Sequence, residues 1–362
     1  MTKIKVGVIG AGGIAQLAHI PCFQKAGNVE VTIIADINKE KLRYVADKFR
    51  IPKAVTNWQD VLNEPVDAVS ICSPNAFHAA QSIAALKAGK HVLCEKPVCL
   101  KDTEAQAIFQ AASSSGCKFM AAFPRRFSGE AKVLRSLIRA GDFGEMYYAK
   151  TGYLRRQGIP GLGTWFTDKK LAGGGPMMDI GVHVLDFVIH LLGAPQPEKI
   201  LAATFHHFRD QAVDGGWPPS ETRIGDKSSG ILDVEDMASA FVRLSGGICL
   251  FVEASWAGHL APQSYTTILG KKAGAQMPDP AKPDNPLKIF SRLKGHLTDS
   301  TPLVPKADVY QEEINHFLDC IRKDKEPITT KEEIVSVVRI IEGIYKSARI
   351  NRPVSFKAGR WV

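Results

Sequence analysis

No two cysteines in this chain have the Cys-x-x-Cys spacing, and their total, seven, is odd. Cys22, Cys72, Cys94, Cys99, Cys117, Cys249 and Cys320 lie mostly in apolar segments. This disfavours a disulfide framework and leads us to expect buried free thiols in a reducing, cytoplasmic compartment. No run of about 18 apolar residues occurs, so no membrane span is expected. No charged leader with an apolar stretch and a cleavage site precedes the strand-like Val6-Gly7-Val8-Ile9, so no secretory signal is expected. No basic stripe and no nucleic-acid reader motif is found. The net charge of +9, from 46 Lys+Arg and 37 Asp+Glu, is modest for 362 residues. Nucleic acid is therefore not an expected partner. Repeats are absent too. With 45% apolar and 23% charged residues, the composition is that of an ordinary globular protein with chain enough for two or three domains.

What is present is alternation. Short β-branched runs recur at Ile4–Ile9, Val29–Ala35, Ala68–Cys72, His91–Cys94 and Lys118–Ala122. Helical stretches lie between them, near Ile14–Lys25, Lys39–Lys48, Phe77–Lys87 and Asp102–Ser113. Strands alternating with helices imply βαβ units and a parallel sheet covered on both faces. Gly27, Gly89 and Gly116 fall where left-handed helix caps are wanted. From about Glu145 the texture changes to strands. Met146–Leu154, Ile200–Phe208, Ala238–Leu244, Ile248–Trp256 and Tyr265–Leu269 predict a mostly antiparallel sheet with one open face. In Ala238–Leu244, residues Ala238, Ala240, Val242 and Leu244 should share a face. Such a face invites a second subunit. The stretches Arg209–Gly230 and Pro278–Pro286 read as loops, and helices near Gln311–Arg322 and Lys331–Ala348 close the chain.

Gly10-Ala11-Gly12-Gly13-Ile14-Ala15 has the form GxGxxA between the first strand and a helix. Gly10 suits the tight turn, Gly12 the close approach of a pyrophosphate, and Ala15 close helix–strand packing. The amides of Gly13 and Ile14 open the helix toward the phosphates. Asp36 ends the second strand, where a carboxylate accepts from both adenosine ribose hydroxyls and repels a 2′-phosphate. NAD is favoured over NADP, although Lys39 and Lys41 stand nearby; Asn38 is the better helix cap. Ser73-Pro74-Asn75, with His78, follows the third strand, and Glu95-Lys96-Pro97 follows the fourth. Both land beyond the carboxyl ends of parallel strands, where ligands bind. Pro97 stiffens the turn that holds Lys96.

Gly173-Gly174-Gly175-Pro176 leads into an apolar helix carrying Asp179, His183, Asp186 and His190 in one stripe. The stripe is about 16 Å long, too long for a single metal ion, and no metal is expected. His190 reads as a structural pair with Asp186. Asp179 and His183 read as a carboxylate that orients an imidazole proton acceptor.

These motifs, with Arg125-Arg126-Phe127, Val234-Glu235-Asp236 and Tyr345-Lys346-Ser347-Ala348, resemble the glucose-fructose oxidoreductase / inositol dehydrogenase / rhizopine-catabolism (Gfo/Idh/MocA) family over nearly the whole chain. The resemblance implies a Rossmann domain, placed at residues 1–123, and a C-terminal α/β domain at 124–362 whose open sheet mediates a homo-oligomer, a dimer or tetramer. It implies Lys96, Asp179 and His183 as catalytic residues, and Gly10, Gly12, Gly13, Ile14, Asp36, Ser73, Asn75, His78, Glu95, Lys96 and Arg126 at the cofactor. Two departures are Pro124, where the family often has Asn, and the hairpin Gly270-Lys271-Lys272-Ala273-Gly274.

The expected reaction is hydride transfer between NAD and a secondary hydroxyl of a sugar, polyol or glycoside. Lys96, Asp179, His183, Arg155, Arg156 and Trp165 are the expected substrate contacts. Since adjacent strand residues point to opposite faces, only one of Arg155 and Arg156 should face the cleft. Two other readings remain: an NAD-retaining glycosidase that works by transient oxidation and would use the same residues, and a non-catalytic NAD-binding scaffold, which loss of Lys96 or His183 would have favoured.

Overall fold

The computed structural model of the protein describes residues 3–277 and 286–362. The loop expected at Pro278–Pro286 lies, except for Pro286, outside the described residues. The first half runs β1 (Ile4–Ile9), α1 (Ile20–Lys25), β2 (Val29–Ala35), α2 (Lys39–Phe49), β3 (Lys53–Val55), α3 (Gln59–Leu62), β4 (Ala68–Ile71), α4 (Asn75–Lys87), β5 (His91–Cys94), α5 (Asp102–Ser115) and β6 (Phe119–Ala121). Its six strands are parallel in the order β3-β2-β1-β4-β5-β6. The order reverses between β1 and β4, so the turns that follow these two strands open a crevice at a topological switch point. The turns press together: at Gly10 (φ +99°) an added Cβ would lie 2.5 Å from the Cys72 carbonyl oxygen, so only glycine fits.

A π turn at Ala15–His19 leads into α1. It falls just before Pro21, which lacks an N–H for the regular ladder. Asn38 caps α2 by accepting from the Glu40 and Lys41 amides. The left-handed cap expected at Gly27 is taken instead by Asn28 (φ 57°), while Gly89 and Gly116 have positive φ as expected.

The second half adds α6 (Gly129–Arg139), β7 (Met146–Leu154), α7 (Lys169–Ala172), α8 (Val182–Leu192), β8 (Pro197–Phe205), β9 (Met237–Leu244), β10 (Cys249–Ser255), β11 (Gln263–Gly270), β12 (Ala273–Met277), β13 (Lys288–Leu293), β14 (His296–Ser300), α9 (Val309–Arg322), α10 (Lys331–Ile350), β15 (Val354–Lys357) and β16 (Arg360–Trp361). Ten strands form one sheet, β14-β13-β12-β11-β7-β10-β9-β8-β15-β16, antiparallel except for β7 beside β10. Ala238, Ala240, Val242 and Leu244 of β9 are all buried, as their alternation requires. The helices α8 and α10 cover this face, and Tyr147, Leu201 and Phe241 remain exposed. α9 crosses back: Ile314, Phe317 and Leu318 join the core formed around β1 and α1. The helical stretch Lys169–Leu192 is long and apolar enough to cross a membrane, but it is almost wholly buried inside the fold, where a core helix belongs. All seven cysteines are free thiols.

Candidate active site

A cavity of about 1400 Å³ lies over the switch point and extends between the two halves. It exceeds the roughly 300–1,000 Å³ typical of one small-molecule site, which suits two ligands end to end. Gly10, Gly12, Gly13, Ile14 and Asp36 line one part, and Lys96, Asp179 and His183 line another. Ser73, Asn75, His78 and Glu95 lie along it as well.

The glycine turn is held from the side by Asp36. Its Oδ2 accepts from the Ala11 amide at 2.8 Å and its Oδ1 from the Asn38 amide at 2.8 Å. Each carboxylate oxygen keeps a second lone pair for a ribose hydroxyl. An added Cβ at Gly12 would meet nothing within 4 Å, so this glycine faces open space rather than packing.

The motifs after β4 and β5 are tied together through His78. Its Nδ1 lies 2.7 Å from the Pro97 carbonyl oxygen and its Nε2 2.7 Å from that of Ser73. Burial holds the ring below its ordinary pKa. Asn75 Nδ2 donates to the Ala172 carbonyl at 2.8 Å, joining this edge to α7, and Ser73 donates to Gln81. Glu95 is buried between His19 Nε2, 2.9 Å away, and the Lys96 amide, which donates at 3.1 Å. Burial works against its charge, but His19 and Lys96 outweigh it and hold the carboxyl below its usual range.

Lys96 reaches the π turn Met177–Gly181 that leads into α8. Its Nζ donates to the Asp179 carboxylate at 3.0 Å and to the Asp179 carbonyl at 2.9 Å. The other carboxylate oxygen accepts from Trp256 Nε1 at 3.0 Å. This corrects the expected pairing: Asp179 orients Lys96, not His183. Lysine and tryptophan arrive from β5 and from the residue after β10 and take both oxygens. Among the described residues His183 has no hydrogen-bond partner, and its Nδ1 is buried without one, which leaves Nε2 as the nitrogen toward the cleft. Burial, reinforced by the charges of Lys96, Arg125 and Arg155, holds its pKa well below the ordinary value. The ring is therefore a neutral imidazole at physiological pH.

Two further expectations are corrected. Arg126 does not reach the cleft. It is 2% exposed and locked in the core, donating to both oxygens of Asp186 and to Glu333, with His190 Nδ1 2.8 Å from Glu333. His190 is thus structural, though its partners are Glu333 and Arg126 rather than Asp186. Arg125 lines the cavity in place of Arg126. Of the pair at the end of β7, Arg155 lines the cavity and Arg156 faces solvent. Trp165 lines the cavity and stacks on Phe166, with centroids 4.0 Å apart. Sequence reasoning missed Trp256, Tyr153 and Tyr310. Tyr153 shares a strand face with Arg155, a spacing of two that signals it. Missed too was the return of residues 217–229 to the cofactor end.

Residues 4–123 match the NAD-binding Rossmann fold of the Gfo/Idh/MocA oxidoreductases, and residues 135–356 match their C-terminal alpha/beta domain. The chain belongs to the Gfo/Idh/MocA oxidoreductase family. Among Gfo/Idh/MocA relatives, it is similar to D-glucoside 3-dehydrogenase of Escherichia coli (strain K12), 29% identical over 354 residues and 96% of each chain. It is also similar to levoglucosan dehydrogenase of Pseudarthrobacter phenanthrenivorans, 28% identical over 269 residues, 72% of this chain and 69% of that one. A solved levoglucosan dehydrogenase in complex with NADH and L-sorbose shares the fold, with a TM-score of 0.83 at 22% identity over 99% of this chain and 100% of that one. As a member of this family the chain is an NAD-binding oxidoreductase. The residues present fit the dinucleotide: open space over Gly12, a carboxylate at Asp36 with lone pairs to spare, and a cavity lined by both and by His183.

Proposed function

We propose that the protein oxidises a secondary hydroxyl of a sugar or glycoside, with NAD bound by residues 1–123 and the substrate end completed by residues 124–362. The observation that carries this reading is the unpartnered, neutral His183 beside a lysine that keeps a donor in reserve. When bound, NAD supplies the hydride acceptor. His183 Nε2 takes the hydroxyl proton as the C–H bond breaks. Lys96 has three N–H donors, and Asp179 takes two of them. The third is available to the substrate oxygen, whose developing negative charge it stabilises. Asp179, fixed by Trp256, holds Lys96 in place. Arg155 and Trp165 offer a hydrogen-bond donor and an aromatic platform for a sugar ring, which suits relatives named for glucosides, levoglucosan and D-xylose.

The seven free thiols suit a reducing, cytoplasmic setting, and the exposed Tyr147, Leu201 and Phe241 on the open sheet suit a homo-oligomer. The test of the reaction is NADH absorbance against a panel of hexoses, inositols and glycosides, with product analysis. A keto sugar formed with stoichiometric NADH is the expected result. Free aglycone without net NADH would mark redox-assisted hydrolysis instead, and silence across the panel would leave a binding scaffold.

A further inference from the structure

The long connection between β8 and β9 does not stay in its own half of the molecule. Its base is stapled to the loop after β7: the Ile159 amide donates to the Val213 carbonyl at 2.9 Å, and the Gly161 amide donates to the Trp217 carbonyl at 2.7 Å. Its tip crosses to the Rossmann half. Gln16, buried on the π turn that leads into α1, donates through Nε2 to the Thr222 carbonyl at 3.2 Å. Asn38 donates to the Ile224 carbonyl at 3.2 Å. Pro218 lies so close to the glycine turn that a Cβ at Gly13 would fall 2.4 Å from its own Cβ. The segment thus crosses the adenosine end of the cavity, next to Asp36.

At that crossing Asp226 forms an ion pair with Lys41. Lys41 stands in the first turn of α2, five residues after Asp36, and its side chain is only 9% exposed. Lys39 and Lys227 also line this end, but both are exposed. Glu40 on the same helix and Arg223 on the β8–β9 connection complete the charged surroundings, and Arg223 is itself paired with Asp214. A lysine beside the ribose is the group that would offset the repulsion between Asp36 and a 2′-phosphate.

We propose that Asp226 is a second determinant of cofactor choice, acting from the C-terminal half. By holding Lys41 in an ion pair, it withholds that cation from a 2′-phosphate and so reinforces the selection of NAD by Asp36. The arrangement places part of the cofactor preference in a connection about 190 residues away in sequence from the motif that is ordinarily read for it.

The test is calorimetric titration of the intact protein with NAD+ and, separately, with NADP+, for wild type, Asp226→Asn, Lys41→Met and the double variant. Wild-type binding of NAD+ in the same series controls for the cofactor site itself. Asp226→Asn is expected to tighten NADP+ by about tenfold, equivalent to about 1.4 kcal/mol, while NAD+ changes by less than about threefold. Adding Lys41→Met should remove the gain, which ties it to the released lysine rather than to a looser loop. Unchanged NADP+ affinity in Asp226→Asn would overturn the proposal. So would parallel weakening of both dinucleotides, or a gain that survives in the double variant.

Discussion

One helical segment carries the same pattern twice, and the two copies have different fates. Asp186 and His190 lie at the far end, sealed in the core. Arg126 takes both oxygens of Asp186, and Glu333 and Arg126 meet at His190. Asp179 and His183 lie at the glycine-led end. There Lys96 and Trp256 take the aspartate, and the histidine is left with no partner among the described residues. Spacing along a helix brings side chains to one face but does not decide whom they meet. The partners come from elsewhere: Glu333 from α10, Arg126 from the turn after β6, Lys96 from the turn after β5. A pair locked by buried charged partners stabilises, even though His190 Nε2 has no hydrogen-bond partner among the described residues. An unsatisfied imidazole at the wall of a cavity keeps its lone pair for chemistry.

The largest expected effects separate the two pairs outright. His183→Gln should lower turnover by about 10²–10⁴-fold and leave NAD binding and the unfolding midpoint close to wild type, since no hydrogen bond is lost. Arg126→Met should do the opposite. It strands two buried carboxylates, Asp186 and Glu333, and such a loss costs about 3–5 kcal/mol, read as a lower denaturation midpoint. If Arg126→Met folds normally but loses NAD affinity, Arg126 belongs to the cofactor after all.

Acid should expose the second pair next. Burial, helped by the charges of Arg126 and Arg135 against the pull of Glu333, holds His190 at about 4 in the fold, against an ordinary value of 6.5. Its contribution is fully present above pH 6.5. As the pH falls, the unfolded chain takes up a proton that the native state refuses, so stability is lost down to about pH 4 and no further from this group. The loss is on the order of 3 kcal/mol. His190→Gln should flatten this part of the stability profile in urea melts between pH 7 and 4. An unchanged slope would place the acid sensitivity elsewhere.

A smaller effect sharpens the first pair. His183 is lowered by burial and then by Lys96, Arg125 and Arg155. Removing a neighbouring cation should raise its pKa, so Arg155→Met should move the acid limb of kcat/KM toward neutral pH. Arg156→Met, on the solvent side, should not move it. Equal shifts in both variants would mean that the arginines act at a distance rather than from one face of the strand.

What could be read beforehand follows the same logic of local and distant partners. The placement of Gly10, Gly12, Asp36 and Lys96 along the cavity was legible because strand, turn and helix are contiguous, and the edge of a parallel sheet fixes where its turns point. The ten-stranded sheet was legible where strands alternate over a long run, as in β9, and not in β12–β16, which are short. Arg125 and Arg126 could not be told apart, because the 3₁₀ turn at Pro124–Phe127 and a partner 207 residues away at Glu333 set which one is buried. Arg155 and Arg156 were separable in principle, since a strand has only two faces. The segment 209–230 was legible as a loop, but its Gly, Pro and charge content does not encode where its tip lands.

Trp165 tests the substrate end with the smallest change. It lies between the loop that begins at Gly158 and the glycine-led helix, half-buried, stacked on Phe166 with centroids 4.0 Å apart and lining the cavity. A ring that served only to pack would lose stability on truncation. A ring that also receives the apolar face of a sugar would lose affinity. An aromatic stacking contact is worth about 0.5–1.5 kcal/mol, so Trp165→Ala should raise KM about 2- to 10-fold with kcat little changed. Trp165→Phe should restore most of the loss, because a smaller aromatic face survives. The readout is the split between KM and kcat for the best hexose or glycoside of the panel. A fall in the unfolding midpoint with KM unchanged would assign Trp165 to packing against Phe166 and leave Arg155 and Tyr153 to recognise the ring.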